Sequence, residues 1–177
     1  QAPLEQVVAE TLLSKLAAYH SSFVRRAMQG LGVLCQLCSA HTYDAVLERG
    51  LAGQSLSAHT SVQLLGVLAR ETPQRLSPHV PTYVPRVLSV LRHALGTDDD
   101  VGETCLATLQ ALVCIGSMDA SCVSAATEAA LAALTYDPNA MDMDEDDDIH
   151  MDDDELELDD VSDDDDMSWR IRRAACR

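Results

Sequence analysis

Apolar residues in the first 136 positions of the chain recur with a helical period. The stripes with this spacing are Val24, Ala27, Met28, Leu31, Cys35 and Cys38; Val84, Val87, Leu88, Leu91 and Leu95; Leu106, Leu109 and Val113; and Val123, Ala126, Ala130 and Leu134. Side chains three and four residues apart share one face of an α-helix, whereas a strand requires sustained alternation, which no stretch shows. The pattern predicts seven helices, over residues 4–18, 22–39, 43–51, 58–71, 77–95, 100–115 and 119–135.

Polar residues between the apolar stripes mark the predicted helix starts. The candidate N-cap residues, whose side chains can accept a hydrogen bond from a free backbone N–H group, are Ser22, Ser57, Asp100 and Asp119. Glu103 follows Asp100 by three residues, which is the spacing of a capping box. Helices joined by short connections fit either a closed bundle or a solenoid, and internal repetition distinguishes the two.

One sequence pattern recurs along the chain. Residues 25–34 resemble residues 59–68, and both can be aligned with residues 103–112 and 172–177. The offsets are 34, 44 and 69 residues, with a mean of 39 once a thirty-residue acidic segment is subtracted from the last. This period is close to the ~40 residues of a HEAT repeat, a hairpin of two helices. The chain is therefore predicted to be an all-α superhelical solenoid.

Two further features fit stacked hairpins. Pro85 lies about two turns into its predicted helix, where it removes a backbone hydrogen bond and predicts a kink. A Val-Arg or Ile-Arg pair opens a predicted second helix at Arg25 and again at Ile171 and Arg172. We expect these arginines to bond to aspartates or carbonyl groups in adjacent loops, the alternative being solvated surface charge.

The charge of the chain is concentrated in one place. Residues 137–167, hereafter the acidic segment, hold 18 of the 29 acidic residues and no Lys or Arg, whereas the remainder has 11 acidic and 12 basic residues. Such a segment repels itself and buries little, so we predict a disordered insertion within one repeat. The predicted organisation is about three hairpins in residues 1–136, the acidic segment, and the truncated start of the next helix in residues 168–177.

The same composition excludes several classes of partner. The chain lacks the basic stripe that a nucleic-acid partner needs. Its longest run without a charged residue or a histidine, residues 104–118, is too short to span a bilayer, and residues 1–18 lack the pattern of a signal peptide. We therefore expect a soluble intracellular protein with no membrane and no nucleic-acid partner. Because the chain begins at Gln1 and ends at Arg177 in a predicted helix, both ends are interpreted as cut.

Candidate metal and catalytic residues do not form a site in the sequence. Cys35 and Cys38 have metal-ligand spacing, but a structural zinc site needs a second pair, and both lie on an apolar helical stripe. They are predicted to be core residues. Asp147 and Asp153 replace the glycine and the bidentate glutamate that a calcium-binding EF-hand loop requires. The six histidines are scattered and no phosphate-binding glycine loop is present, so we expect no enzyme, cofactor or small-molecule substrate.

The residues on both sides of the acidic segment are similar to a known family. Ala133-Leu-Thr-Tyr-Asp-Pro-Asn139 leads into the segment, and Ser162-Asp-Asp-Asp-Asp-Met-Ser-Trp-Arg-Ile-Arg-Arg-Ala-Ala175 follows it. Together they resemble the cullin-associated, neddylation-dissociated family, which carries such an acidic loop inside one HEAT repeat of its N-terminal half. Arg75-Leu76, Pro85 and the Asp98-Asp99-Asp100 turn resemble the preceding repeats.

The resemblance implies a function for the whole protein. A member of this family is a long solenoid that clasps an unmodified cullin and its RING subunit in the cytoplasm and nucleus. It competes with the substrate-receptor module and thereby regulates SCF assembly by exchanging receptors, and neddylation of the cullin blocks it. The residues that we associate with the repeat signature are Pro85, Asp100, Trp169, Ile171 and Arg172.

Two residues near the acidic segment carry separate expectations. Trp169 is predicted to pack between repeats, because a large aromatic side chain beside Ile171 and Ala174 would complete an apolar face. Ser162 precedes four aspartates, which suits kinases that recognise acidic residues after the target serine, so it is a candidate phosphorylation site.

Two alternative functions fit parts of the sequence. The first is a HEAT-repeat nuclear transport receptor, a class that can also carry an acidic loop. The second is an acidic chaperone of basic proteins that acts through the acidic segment alone, and its binding would be lost in moderate salt.

Overall fold

The structure is a computed structural model that describes residues 2–17, 21–52, 56–136 and 168–176. Within these residues the chain is helical and contains no strand. The helices are α1 (Ala2–Leu16), α2 (Ser21–Leu37), α3 (Ala40–Leu47), α4 (Ala58–Glu71), α5 (Pro73–Leu76), α6 (Val80–Ala94), α7 (Asp99–Ile115), α8 (Ala120–Leu134) and α9 (Ser168–Ala175). A π-helical turn, Glu48–Ala52, extends α3, and a 3₁₀ turn, Ser77–His79, joins α5 to α6.

The helices pack as a series of antiparallel hairpins in two layers. The hairpins are α1 with α2, the π-helical end of α3 with α4, α6 with α7, and α8 with α9. The second helices of the hairpins pack side by side in the order α2, α4, α7 and α9. In the other layer α1 packs on α3, and α6 packs on α8. This arrangement confirms the predicted all-α solenoid of HEAT type.

The helix starts agree with the sequence prediction at two of the four candidate N-caps. Ser57 accepts a hydrogen bond from the backbone N–H of Thr60, and Asp119 accepts one from Cys122. Ser22 is not a cap, because α2 begins one residue before it. Asp100 is not a cap either, since the extended residue is Asp98, whose Oδ1 accepts from the N–H of Val101 at 3.1 Å.

Two of the four apolar stripes are buried as predicted, one is buried in part and one is not. The stripes on α2 and α6 face the core, where Leu31 and Leu91 are fully buried. On α7, Leu106 and Leu109 are buried as predicted, but Val113 is exposed and Leu112 is buried in its place. On α8 the predicted stripe is wrong, because its buried residues are Cys122, Ala129 and Ala133. These helices are apolar on more than one face, so the periodicity alone did not identify the face that packs.

Side chains on α1 tie the first two hairpins together. The Oε2 atom of Glu5 accepts a hydrogen bond from the backbone N–H of Ser39 at 2.9 Å, and this bond lowers the pKa of Glu5. One helix turn further along, Glu10 forms a 2.8 Å ion pair with Arg49. These contacts link α1 to the start and to the π-helical end of α3, and so fix the spacing of the first-helix layer.

Candidate protein-binding groove

A groove of about 1000 Å³ runs across the layer of second helices. Its walls belong to α2, α4 and α7 alone, and no residue of the first-helix layer lines it. The lining residues are Val24, Arg25, Met28, Gln29, Val33, His59, Thr60, Gln63, Gly66, Val67, Arg70, Glu71, Thr104, Ala107 and Thr108. Because three consecutive hairpins contribute to it, the groove exists only when they stack in register.

Glycines allow the second helices to approach closely beneath the groove. A Cβ atom on Gly66 would lie 2.7 Å from Thr108 Oγ1, a distance that real Cβ contacts do not show. The buried hydroxyl of Thr108 donates to the carbonyl of Val62 at 3.2 Å and thereby links α7 to α4. At the α2–α4 contact, a Cβ atom on Gly32 would lie 3.0 Å from Val67. The absence of a side chain at these two positions sets how near the three helices lie.

A row of polar side chains crosses the groove between α4 and α7. The side-chain amide of Gln63 contacts His59 Nε2 at 2.9 Å, and the same ring nitrogen is 3.2 Å from Thr104 Oγ1. If the amide donates, Nε2 is the unprotonated nitrogen that accepts, and the imidazole proton lies on Nδ1. The row holds polar groups in fixed positions, and no carboxylate or thiol in it pairs with the imidazole.

The charged residues of the groove differ in their partners. Glu71 accepts a 2.7 Å hydrogen bond from the side-chain amide of Gln36, which links α4 to α2. Arg25 and Arg70 are exposed and make no hydrogen bond or ion pair with the described part of the chain. Among the described residues, Arg25 does not make the expected bond to an adjacent loop, and residues 18–20 and 53–55 lie outside them. The groove combines two free guanidinium groups with an apolar floor.

The chain is similar to known proteins over nearly its whole length. Over 192 aligned residues it is 27% identical to Cullin-associated NEDD8-dissociated protein 1 of Drosophila melanogaster, covering 99% of this chain and 15% of that protein. Over 183 residues it is 32% identical to Cullin-associated NEDD8-dissociated protein 2 of Mus musculus, covering 94% of this chain and 14% of that protein. The resemblance to the cullin-associated, neddylation-dissociated family is confirmed. No family model matches the chain, which spans about 15% of the length of these relatives.

Three of the five residues associated with the repeat signature, Asp100, Ile171 and Arg172, lie at the junction of α7, α8 and α9. Ile171 is fully buried and lies against Gly102, where a Cβ atom would be 3.3 Å from its side chain. Arg172 donates to the carbonyl of Tyr136 at 3.2 Å, as expected for an arginine that opens a second helix. Arg170 pairs with Asp100 at 2.9 Å and with Glu103 at 2.6 Å. Asp100 and Glu103, which were predicted to form a capping box, instead form ion pairs with Arg170 of α9.

Trp169 does not pack between repeats as predicted. Half of its surface is exposed, and its ring is contacted by the guanidinium of Arg173, 5.9 Å from the centroid. Residues two apart on a helix point in nearly opposite directions, so Trp169 cannot share the buried face of Ile171. Residues three and four positions after Ile171, Ala174 and Ala175, pack against the core instead.

The other predicted residues lie apart from this junction. Pro85 is inside α6 with its side chain exposed, and the kink there stays a prediction. Ser162 and the rest of the acidic segment lie outside the described residues.

Arg75 on α5 contacts both α2 and α3, and these contacts were not predicted from the sequence. Arg75 Nη1 donates to the carbonyls of Cys35 and Cys38 at the end of α2, at 2.7 and 2.9 Å. Its guanidinium stacks on the buried ring of Tyr43, 4.3 Å from the centroid. The last carbonyls of a helix attract positive charge, so Arg75 acts as a C-terminal cap supplied by another hairpin. Helix ends with free carbonyl groups are common, and so are arginines next to a leucine. The sequence alone therefore does not identify this contact.

The cysteines on the apolar stripe behave as core residues, as predicted. Cys35 and Cys38 are buried, and burial raises the pKa of Cys35 to about 12. Burial has the same effect on Cys105. A thiol with so high a pKa stays protonated at neutral pH and is a poor metal ligand. Among the described residues, no group of three or more His, Cys, Asp or Glu could hold a metal ion. None of the described helices is long and apolar enough to cross a membrane.

Proposed function

We propose that this chain is part of a non-enzymatic HEAT-repeat scaffold that binds the unneddylated core of a cullin–RING ubiquitin ligase. The observation that carries the proposal is the alignment of nearly the whole chain with two proteins whose names describe cullin association and NEDD8 dissociation. The proposal also includes contact with the RING subunit and exchange of substrate-receptor modules during SCF assembly. It places this action in the cytoplasm and nucleus.

The groove supports a role in protein binding. Its floor offers apolar side chains such as Met28 and Val67, and its walls offer amides, hydroxyls and two free guanidinium groups. Protein interfaces combine such an apolar centre with polar and arginine contacts. A surface shared by three rigid hairpins is suited to holding a partner in a fixed orientation.

The test uses the full-length protein that carries this chain and purified cullin–RING core in two forms. The unmodified core should bind and the neddylated core should bind much more weakly, as measured by biolayer interferometry. A variant lacking residues 142–160 serves as a control, because lengthening a loop costs only about (3/2)RT ln n and its removal should leave the packing of the repeats intact. Equal binding of both cores, or no binding of either, would refute the proposal.

The same experiment separates the two alternative functions. An acidic chaperone would lose its binding when residues 142–160 are removed or when salt is raised. A nuclear transport receptor would bind a small GTPase and neither form of the cullin core. The scaffold proposal requires binding of the unmodified core that survives the deletion.

A further inference from the structure

The two unpaired arginines of the groove lie at its opposite ends. The parallel helices α2 and α4 are in register at an offset of about 35 residues, because Gly32 contacts Val67 and Gln36 contacts Glu71. Arg25 is therefore level with the start of α4, whereas Arg70 is level with the end of α2. With a rise of 1.5 Å per residue, this separation of ten residues corresponds to about 15 Å along the helix axes.

The surface between the arginines is mixed. Met28 and Val67 line the groove there beside Val33, which is 56% exposed, and the polar side chains of Gln29 and Gln63 lie among them. An occupant of the groove must therefore present apolar and hydrogen-bonding groups in the middle and negative charge at both ends. In an α-helix, residues eleven apart are about 16 Å apart, close to this separation, and lie on the same face, since eleven residues make just over three whole turns. An extended segment of the same length alternates its side chains and presents only half of them to the groove.

We propose that the groove binds an amphipathic helix of the cullin–RING core, with carboxylates about three turns apart that pair with Arg25 and Arg70. This inference rests on the proposed function and names the chemistry of the contact. Arginine forms bidentate hydrogen bonds with carboxylates, and such pairs steer association as well as strengthening it. Apolar residues one and two turns from the first carboxylate would lie over Met28 and Val67.

The test measures the affinity of the full-length protein for unmodified cullin–RING core after charge reversal. The double variant Arg25→Glu with Arg70→Glu should bind about 10- to 100-fold more weakly, and the loss should fall mainly on the association rate at low salt. Each single variant should cause part of the loss, and the two effects should add, because the sites are farther apart than the distance at which substitutions usually couple. The affinity of the double variant should also depend less on salt.

A matched control reverses two charges on the first-helix layer. Lys15 on α1 and Arg92 on α6 are exposed and do not line the groove, so Lys15→Glu with Arg92→Glu should bind as the wild type does. Thermal unfolding checks that each variant is folded, and if the charge reversal lowers stability, the neutral pair Arg25→Gln with Arg70→Gln should still weaken binding.

The outcomes distinguish the two proposals. If the wild-type protein and the control bind the core, and the groove variants bind it equally well, the inference is wrong while the proposed function stands. If the wild-type protein does not bind the unmodified core, the proposed function fails and the inference fails with it. Weakened binding of the groove variants beside an unaffected control supports the inference.

Discussion

Two junctions between hairpins use an arginine in different surroundings. At the first, Arg75 is partly buried, donates to two backbone carbonyls at the end of α2 and stacks on Tyr43. At the second, Arg170 pairs with Asp100 and Glu103 on the surface of α7, where the Asp100 side chain is 70% exposed. The same residue type therefore caps a helix within the array at one junction and bridges exposed carboxylates at the other.

The difference indicates where each junction obtains its stability. Removing Arg75 would leave two partly buried carbonyl groups without this donor, and an unsatisfied group shielded from water is costly. Removing Arg170 would leave two carboxylates that water can solvate, so little is lost. At the second junction the main stabilising contact should instead be the buried side chain of Ile171 against Gly102. One junction depends on a hydrogen-bonded charge and the other on apolar packing.

The largest expected effect is at Ile171. Replacing it with alanine should create a cavity beside Gly102 and weaken the docking of α9 by about 2–5 kcal/mol. Because Ile171 packs α9 against α7, the loss should appear as faster amide exchange in residues 168–176, while α2 and α4, farther along the layer of second helices, stay protected. Arg173→Ala, which alters an exposed side chain on the same helix, is the control. Unchanged exchange in the Ile171 variant would contradict a junction held by packing.

A somewhat smaller effect is expected at Arg75. Arg75→Ala should lower the free energy of unfolding of the first hairpins by about 2–3 kcal/mol, because two charge-assisted hydrogen bonds and the contact with Tyr43 are lost. Arg75→Lys should recover part of this stability, since an ammonium group can cap the helix but cannot stack as a planar guanidinium does. Urea denaturation measures the free energy of unfolding of both variants, with the exposed Arg92→Ala variant as control. If Arg75→Ala loses no more stability than the control, the two junctions do not differ in the way described above.

The smallest effect is expected at Arg170. Arg170→Ala should change stability by about 0–1 kcal/mol, and the change should shrink further as salt is raised from 0.05 to about 0.5 M. Urea denaturation at both salt concentrations measures this. A salt-independent loss as large as that of the Arg75 variant would show that the exposed ion pairs contribute as much as the buried cap.

Much of the fold follows from sequence because its determinants are local. Helix positions follow from apolar spacing, and Ser57 and Asp119 act as caps through groups only three residues away. Errors appear where the local pattern offers several equivalent choices. Three consecutive aspartates, residues 98–100, lie at the start of α7, and only the backbone conformation identifies Asp98 as the cap.

The contacts between hairpins could be predicted less well than the hairpins themselves. The Ala-rich helix α8 has no single apolar face, so its buried residues depend on where α6 and α9 lie. Arg75 reaches carbonyls forty and thirty-seven residues earlier, a pairing that no spacing rule indicates. The groove also has no sequence motif, since its lining is gathered from three helices that become neighbours only in the solenoid.

The central claim is that the layer of second helices carries the partner-binding face of a cullin-associated scaffold. Amide exchange of the full-length protein, with and without cullin–RING core, tests it most directly. Unmodified core should protect residues 24–33, 59–71 and 104–108, leave α1 and α6 unchanged, and lose this effect when the cullin is neddylated. Protection confined to the first-helix layer, or the same protection from both forms of the core, would contradict the claim.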